Sequence, residues 1–259
     1  MEVIIPFFIA HWYLSLFFQT FFLHRYASHL AFSMSKRTEK VFFILTWFFQ
    51  GSNYLSAYGY GIMHRMHHAF ADTPNDPHSP KYDESLFKMM WKTKTIYSEI
   101  TSKKMVVDPR FTKDVPEWPA FDRFARSWVS RVMWGAVYFS MYWFFADVWW
   151  LWLLLPIQFI LSPVHGAIIN WFAHKYGYRN FEVGDTSRNF LPVDFLMMGE
   201  SYHNNHHKHG SRPNFGVRWY ELDPTYMVIL LLDKMKIIKL KEYTKHIAIG
   251  KKEAKKEAA

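Results

Sequence analysis

Three histidine clusters constrain this chain more than any other feature. They are His24-Arg-Tyr-Ala-Ser-His29, His64-Arg-Met-His67-His68 and His203-Asn-Asn-His206-His207, with a weaker fourth element, Asn170-Trp-Phe-Ala-His174. On an α-helix, positions i, i+3 and i+4 fall within an arc of about 100°. His64, His67 and His68 can therefore point one way, and so can His203, His206 and His207. Asn170 and His174 stand one turn apart. His24 and His29 are five apart, about 140° around a helix, and cannot share one face. Either the helix ends between them or they reach different metals. Imidazole suits Zn, Cu, Fe and Ni. Eight such ligands, nine with His174, are too many for one ion, whereas two ions at four or five nitrogens each absorb them. Asn170 then completes a shell directly or through a water. A lone histidine is ordinarily a surface or core residue. Three clusters at helical spacing on one side of a membrane read instead as a metal site.

The membrane enters through the apolar runs. Half of the 259 residues are hydrophobic and 20% are aromatic, yet 20% are charged, so a membrane anchor carries a substantial polar body. With no cysteine, disulfides, thiolate metal sites, iron–sulfur clusters and a Cys nucleophile are excluded. Residues 3–23 are long enough to cross a bilayer of roughly 30 Å and read as a span, with no leader of basic residues and small-residue cleavage site. Arg25, Lys36, Arg37 and Lys40 follow, which places His24 at the cytoplasmic face. Residues 132–146 and 149–170 read as a helical hairpin turning at Ala146-Asp147-Val148. Arg131 precedes it, Lys175 and Arg179 follow it, and Trp143, Trp149, Trp150 and Trp152 form an interfacial belt. Residues 41–60 are apolar enough to cross, but histidine clusters lie at both ends. If both serve one centre, a single crossing is excluded, so this segment is re-entrant or interfacial. The expectation is an all-α integral membrane protein. About three transmembrane helices, a re-entrant or interfacial helix and a cytoplasmic helical cap form one domain over 1–245. Within it, Met227 to Leu240 is an amphipathic surface helix, and a basic tail, 246–259, follows.

The remaining histidines carry no chemistry on this reading. His11 lies about 20 Å up a helix from His24, His165 is hydrogen-bonded in the bundle, His209 faces away from its cluster, His78 sits in a Pro-flanked loop, and His246 is near the tail. Asp72, Asp76, Asp185 and Glu200 are carboxylates able to orient ligand imidazoles, with surface ion pairs or helix caps as the ordinary alternative.

These motifs, in this order, resemble the membrane fatty acyl desaturases of the stearoyl-CoA, delta-9 type, in a compact bacterial form. The pattern HxxxxH, HxxHH, HxxHH is met at each position, and Asn170 with His174 matches the additional Asn-x₃-His element. Asp76-Pro-His-Ser79 resembles the family's DPH turn and Gly199-Glu200 the start of its last box. The resemblance runs from about Trp12 to Leu232. It implies two iron ions (Fe2+/Fe3+) held by nine histidines with Asn170 holding a water, and O2 as co-substrate. It also implies a bent tunnel that places a methylene pair by the metals, with Gln50 near the bend. The expected product is a cis double bond in a saturated acyl chain. The carrier stays open between acyl-CoA, acyl-carrier protein and acyl-lipid. The external donor stays open between ferredoxin, rubredoxin and cytochrome b5. The expected site is the bacterial inner membrane with the active site facing the cytoplasm. A net charge of +9 suits anionic lipid or an acidic carrier, and nucleic acid is not an expected partner. A hydroxylase of the same superfamily is the near rival, and a zinc-handling transporter or sensor the distant one. The Asn170/His174 element favours desaturation over the first. Ligands gathered at one face, rather than along several spans, disfavour the second.

Overall fold

The computed structural model describes residues 1–241, so the expected tail at 246–259 and His246 lie outside the described residues. Helix α1 runs without interruption over Ile4–Ser28, past the expected end at 23. Its first part, Ile4–Phe18, has α winding, but Gln19–Ser28 is a π-helix. There the hydrogen bonds span five residues, and the His29 N–H donates to the His24 carbonyl at 3.3 Å. The wider turn brings i and i+5 onto one face. The expectation that His24 and His29 cannot share a face assumed an α pitch, and the π winding corrects it.

After a short strand β1 (Phe32–Met34), helix α2 (Lys36–Gln50) starts at an N-cap, where Ser35 Oγ accepts the Thr38 N–H at 3.1 Å. It runs back along α1, with Phe42 against Phe21 and Phe22 and Phe49 stacked on Phe18 at 5.1 Å. The chain reverses through a 3-10 turn, Gly51–Asn53. Only glycine fits at its start: φ is +57° and a Cβ would meet the Tyr138 hydroxyl. Helix α3 (Ala57–Phe70) then returns along the π segment of α1. Descent and return put both ends of this hairpin, and their histidines, on one side.

Helices α4 (Leu86–Thr101) and α5 (Pro109–Thr112) cover α3, and α6 (Pro119–Ala125) packs on the helix that follows it. Helix α7 (Trp128–Phe145) leads through a turn to a 3-10 segment, Trp149–Leu153, then α8 (Leu154–Gln158) and α9 (Leu161–Ala167), which ends in a π turn, Ile168–Phe172. The expected continuous span at 149–170 is broken: the two pieces meet at 71°. Pro163 supplies the reason, since it has no N–H for the Phe159 carbonyl and its ring collides with that group. Asn53 Nδ2 donates to the Gln158 carbonyl at 2.8 Å, satisfying a group near the break.

Helices α10 (His203–Lys208) and α11 (Pro224–Lys234) and strand β2 (Ile238–Leu240) follow. β2 pairs antiparallel with β1, Phe32 opposite Leu240. Two features therefore depart from the all-α expectation: this small sheet, and the end of the expected amphipathic helix at 227–240, where Ile238 and Leu240 face the core as strand residues. Phe21, Phe22, Phe32, Phe43, Ile229 and Leu240 form the largest apolar cluster, which ties α1, α2 and α11 to the sheet.

Among the described residues, Ile4–Ser28 can cross a membrane by length and hydropathy, and the bent pair Trp149–Gln158 with Leu161–Phe172 raises the number to two at most. Helix α7 has 18 residues, with Arg131 and three tryptophans among them. Around the turn between α7 and α8, Trp143, Phe144, Trp149 and Leu153 are more than 60% exposed, a broad apolar surface of the kind that meets lipid.

Candidate metal centre

Nine imidazoles converge where the π end of α1, α3, the chain after α9 and α10 meet. They fall into two groups whose ligand-type atoms lie within 4.8 Å of one another: His24, His29, His64, His68 and His206 in one, and His67, His174, His203 and His207 in the other. All nine predicted histidines are thus brought together, and each box of the second and third clusters feeds both groups.

Local structure fixes this convergence. Gly61 lets α3 approach α1, since a Cβ there would stand 3.1 Å from the Ala27 carbonyl oxygen. Six residues are too few for α10 to hold by itself. Its two buried asparagines anchor it. Asn204 accepts the Asn180 and Phe181 N–H groups, each at 2.9 Å, and Asn205 Nδ2 donates to the Phe215 carbonyl and to Glu221 Oε2, each at 2.9 Å.

The rings are also turned. Nδ1 of His24 donates to Glu200 Oε2 at 2.6 Å, that of His67 to Asp76 at 2.9 Å and that of His207 to Asp185 at 2.7 Å. Nδ1 of His174 meets Thr186 Oγ1 at 3.1 Å, and Asp72 lies 3.9 Å away while accepting the Thr186 N–H. Each of the four carboxylates singled out in the sequence thus stands behind an imidazole. A proton held on Nδ1 leaves Nε2 as a bare lone pair. Yet Nε2 of His67 and of His207, both tied in this way, face each other at 3.2 Å, and such a pair is favourable only with a cation between them.

The other separations agree. Nε2 atoms meet at 2.9 Å for His24 and His206, 2.8 Å for His29 and His64, 2.9 Å for His68 and His206, and 3.0 Å for His174 and His203. Nitrogens bound about 2.0–2.1 Å from a metal and about 90–109° apart are separated by about 2.9–3.4 Å. Burial first, and then the neighbouring imidazoles, hold His203, His206 and His207 well below the ordinary histidine pKa. They stay neutral and able to ligate at neutral pH.

Asn170, on the π turn after α9, lines a narrow cavity of about 50 Å³ together with His24, His64 and His203. Gln50 lies elsewhere: its Oε1 accepts the Leu55 N–H at 3.0 Å and holds the α2–α3 turn, and it does not line this cavity.

Several residues escaped the sequence reading. His78 is 3% exposed, lies 4.3 Å from the His67 ring and lines the cavity, with no partner for either ring nitrogen. The Asp76-Pro-His-Ser79 motif carried that signal. His165, expected to be hydrogen-bonded, has no partner on either nitrogen and packs edge-on against Trp12 at 4.5 Å. Arg25 is fully buried. It pairs with Asp223 at 2.7 Å, reaches Glu200 at 3.7 Å and stacks 3.9 Å over Phe215, whose ring lies 4.4 Å from that of His206. Gly199, at φ +97° and with Asp223 packed where a Cβ would sit, turns the chain so that Glu200 reaches His24.

A helical body with nine imidazoles, six of them buried, in groups of five and four defines a class of protein built around a histidine-rich centre. The family model for fatty acid desaturases matches residues 2–233, and the chain belongs to that family. Among its relatives, it is 31% identical over 219 residues to the sn-1 stearoyl-lipid 9-desaturase of Synechocystis sp., covering 83% of this chain and 64% of that protein. It is 28% identical over 229 residues to the Delta-9 desaturase-like 4 protein of Arabidopsis thaliana, covering 84% and 69%. It is 28% identical over 249 residues to the hex-5-enoyl-[acyl-carrier protein] acetylenase of Moorena producens, covering 89% and 74%. The chain thus spans somewhat less than two thirds of the Synechocystis protein's length.

Proposed function

We propose that this protein is an O2-dependent fatty acyl desaturase of the delta-9 class, with two iron ions held by the nine histidines. The observation that carries the reading is the pair of carboxylate-tied imidazoles, His67 and His207, presenting bare nitrogens to one another. Bound iron, once reduced by an external one-electron donor, would supply the O2 activation needed to take hydrogen from an unactivated methylene, a bond beyond the reach of acid–base catalysis.

The chain's own residues do the rest. His24, His29, His64, His68 and His206 would hold one ion, and His67, His174, His203 and His207, with Asn170 through a water, the other. Glu200, Asp76 and Asp185 keep their imidazoles turned inward and raise their basicity. The substrate is a long acyl chain. The names of the Synechocystis and Moorena relatives support carriage on lipid or on acyl-carrier protein. Those relatives perform desaturation and acetylenation by name, which favours dehydrogenation over hydroxylation. Three spans, α1, α7 and the bent α8–α9 pair, with the histidine side in the cytoplasm, complete the reading. The basic residues support that orientation: Lys36, Arg37, Lys40, Arg131, Lys175 and Arg179 flank these segments on one side, and the 146–148 turn has none.

The test is acyl-chain analysis of a host expressing the wild-type chain or its His67→Ala, His206→Ala variant. Monounsaturated chains that appear with the first and vanish with the second are expected. Hydroxylated chains, or no new chains with a donor supplied, would overturn the assignment.

A further inference from the structure

Below the histidine centre, α1 and the bent α8–α9 pair turn polar side chains toward each other. On α1 these are His11, Ser15 and Gln19, at i, i+4 and i+8. Across from them are Gln158 at the end of α8 and Ser162 and His165 on α9. Each of the six is buried, and none belongs to the metal groups. At the far end the two rows are knotted: Gln158 Nε2 donates to His11 Nδ1 at 2.9 Å, the Tyr142 hydroxyl donates to Gln158 Oε1 at 2.8 Å, and the Tyr138 hydroxyl meets His11 Nε2 at 3.2 Å.

Between that knot and the metals, the protein provides no partners. Ser15 Oγ, Ser162 Oγ, Gln19 Oε1 and both ring nitrogens of His165 are buried without one. Buried polar atoms are ordinarily paired, so five orphans on adjoining turns point to a ligand. A cavity of about 50 Å³ adjoins them, lined by Gln19 and His165 of this set together with His78, Asn170 and Glu200. A water needs some 10–15 Å³ of such space and two to four polar partners, so about three to five waters fit. Methylene groups would leave every orphan unpaired.

We propose that this seam holds a file of water that carries protons to the metal centre and receives product water from it. The proposal rests on the desaturase reading. Forming CH=CH from CH2–CH2 with one O2 consumes two electrons from the one-electron donor and two protons, and releases two waters. Two of the four hydrogens in those waters come from the acyl chain and two from solvent. Imidazoles that give Nε2 to a metal and Nδ1 to a carboxylate cannot relay them. His165 can: one nitrogen accepts a proton while the other releases one. From Tyr138 and His11 the row of orphans runs past His165, which lines the same cavity as Asn170 and Glu200.

The test uses X-ray-generated hydroxyl radicals on the full chain in lipid nanodiscs in H2(18)O, read by peptide mass spectrometry. Met197 is fully buried and lines the cavity, whereas Met89 is equally buried on α4. The expected result is 18O labelling of Met197 several-fold faster than Met89, falling to the Met89 rate in His165→Phe. Equal rates in the wild-type chain mean a dry seam and overturn the proposal. With donor and acyl substrate supplied, His165→Phe is expected to form fewer double bonds per electron pair and to release peroxide, and His165→Gln to recover part of the coupling. Unchanged coupling in His165→Phe, with Met197 labelling lost, overturns the proton role. The labelling reads the seam whether or not the wild-type chain makes double bonds, so the two readings fail separately.

Discussion

Replacing Asp76 by Asn tests the logic of the carboxylate-backed imidazoles. Asp76 is fully buried, and both its oxygens are occupied. Oδ1 accepts from His67 Nδ1 at 2.9 Å and from the His78 N–H at 3.0 Å, while Oδ2 accepts the Asp72 N–H at 2.9 Å and lies 3.1 Å from His67 Nδ1. Every partner is a donor. An asparagine has one oxygen only, so its NH2 group must face the N–H of His78 or of Asp72. A charge-assisted hydrogen bond contributes about 1.5–3 kcal/mol, and about 1.4 kcal/mol corresponds to tenfold in affinity. The four-histidine group should therefore lose roughly tenfold to somewhat more than a hundredfold in metal affinity, in line with the 10–100-fold typical of such outer partners. The five-histidine group contains neither His67 nor any ring tied to Asp76 and should keep its affinity. The assay is a chelator competition followed by metal analysis per chain, with occupancy expected to fall from two toward one. Loss of both ions together, or of neither, would refute the reasoning.

Replacing Arg25 by Met leaves Asp223 and Glu200 buried without their cation, and should cost about 3–5 kcal/mol in chemical unfolding; a variant as stable as wild type would remove Arg25 from the scaffold of the centre. Gly61→Val forces α3 away from Ala27 and should cost about 1–3 kcal/mol, with melting and metal content falling together. Burial raises the Asp122 pKa, against hydrogen bonds from Tyr54 and Ser56 that lower it. Its contribution to stability is therefore full below the unfolded pKa and is lost as pH rises through the folded one. The melting temperature of Asp122→Asn should accordingly gain on that of wild type as pH rises above the ordinary aspartate pKa of about 3.9, and a constant difference would contradict this. Metal removal by chelation should lower stability by about 4 kcal/mol when the free metal had stood at about a thousand times its Kd; an unchanged melting curve would show the histidines to be no ligands.

The histidine boxes were legible because ligand spacing and helix pitch are both local. His64, His67 and His68 needed only the α period to be placed on one helix, and the carboxylates at 72, 76, 185 and 200 could be named from proximity in sequence. The meeting of His24 with His29 was not legible, because the π winding of Gln19–Ser28 leaves no signal in the local composition. The break at Phe159 and Ile160 was foreshadowed by Pro163 but masked by continuous apolar sequence. Buried Arg25 was read as a topogenic charge, since nothing nearby in the sequence reveals Asp223. The β1–β2 pairing joins residues some two hundred positions apart, beyond any local pattern.

That separation has a consequence during synthesis. The five-histidine group takes His24 from the start of the chain and His206 from near its end, and Phe32 finds Leu240 later still. At about 5–20 residues per second, the ribosome needs roughly 10–40 s to travel from the first of these histidines to the last. Through most of that interval α1 and α3 are already made, and their imidazoles lack the His206 that α10 supplies. A nascent chain of this kind must keep them sheltered until α10 arrives, so loading of the full centre is an event of the finished polypeptide.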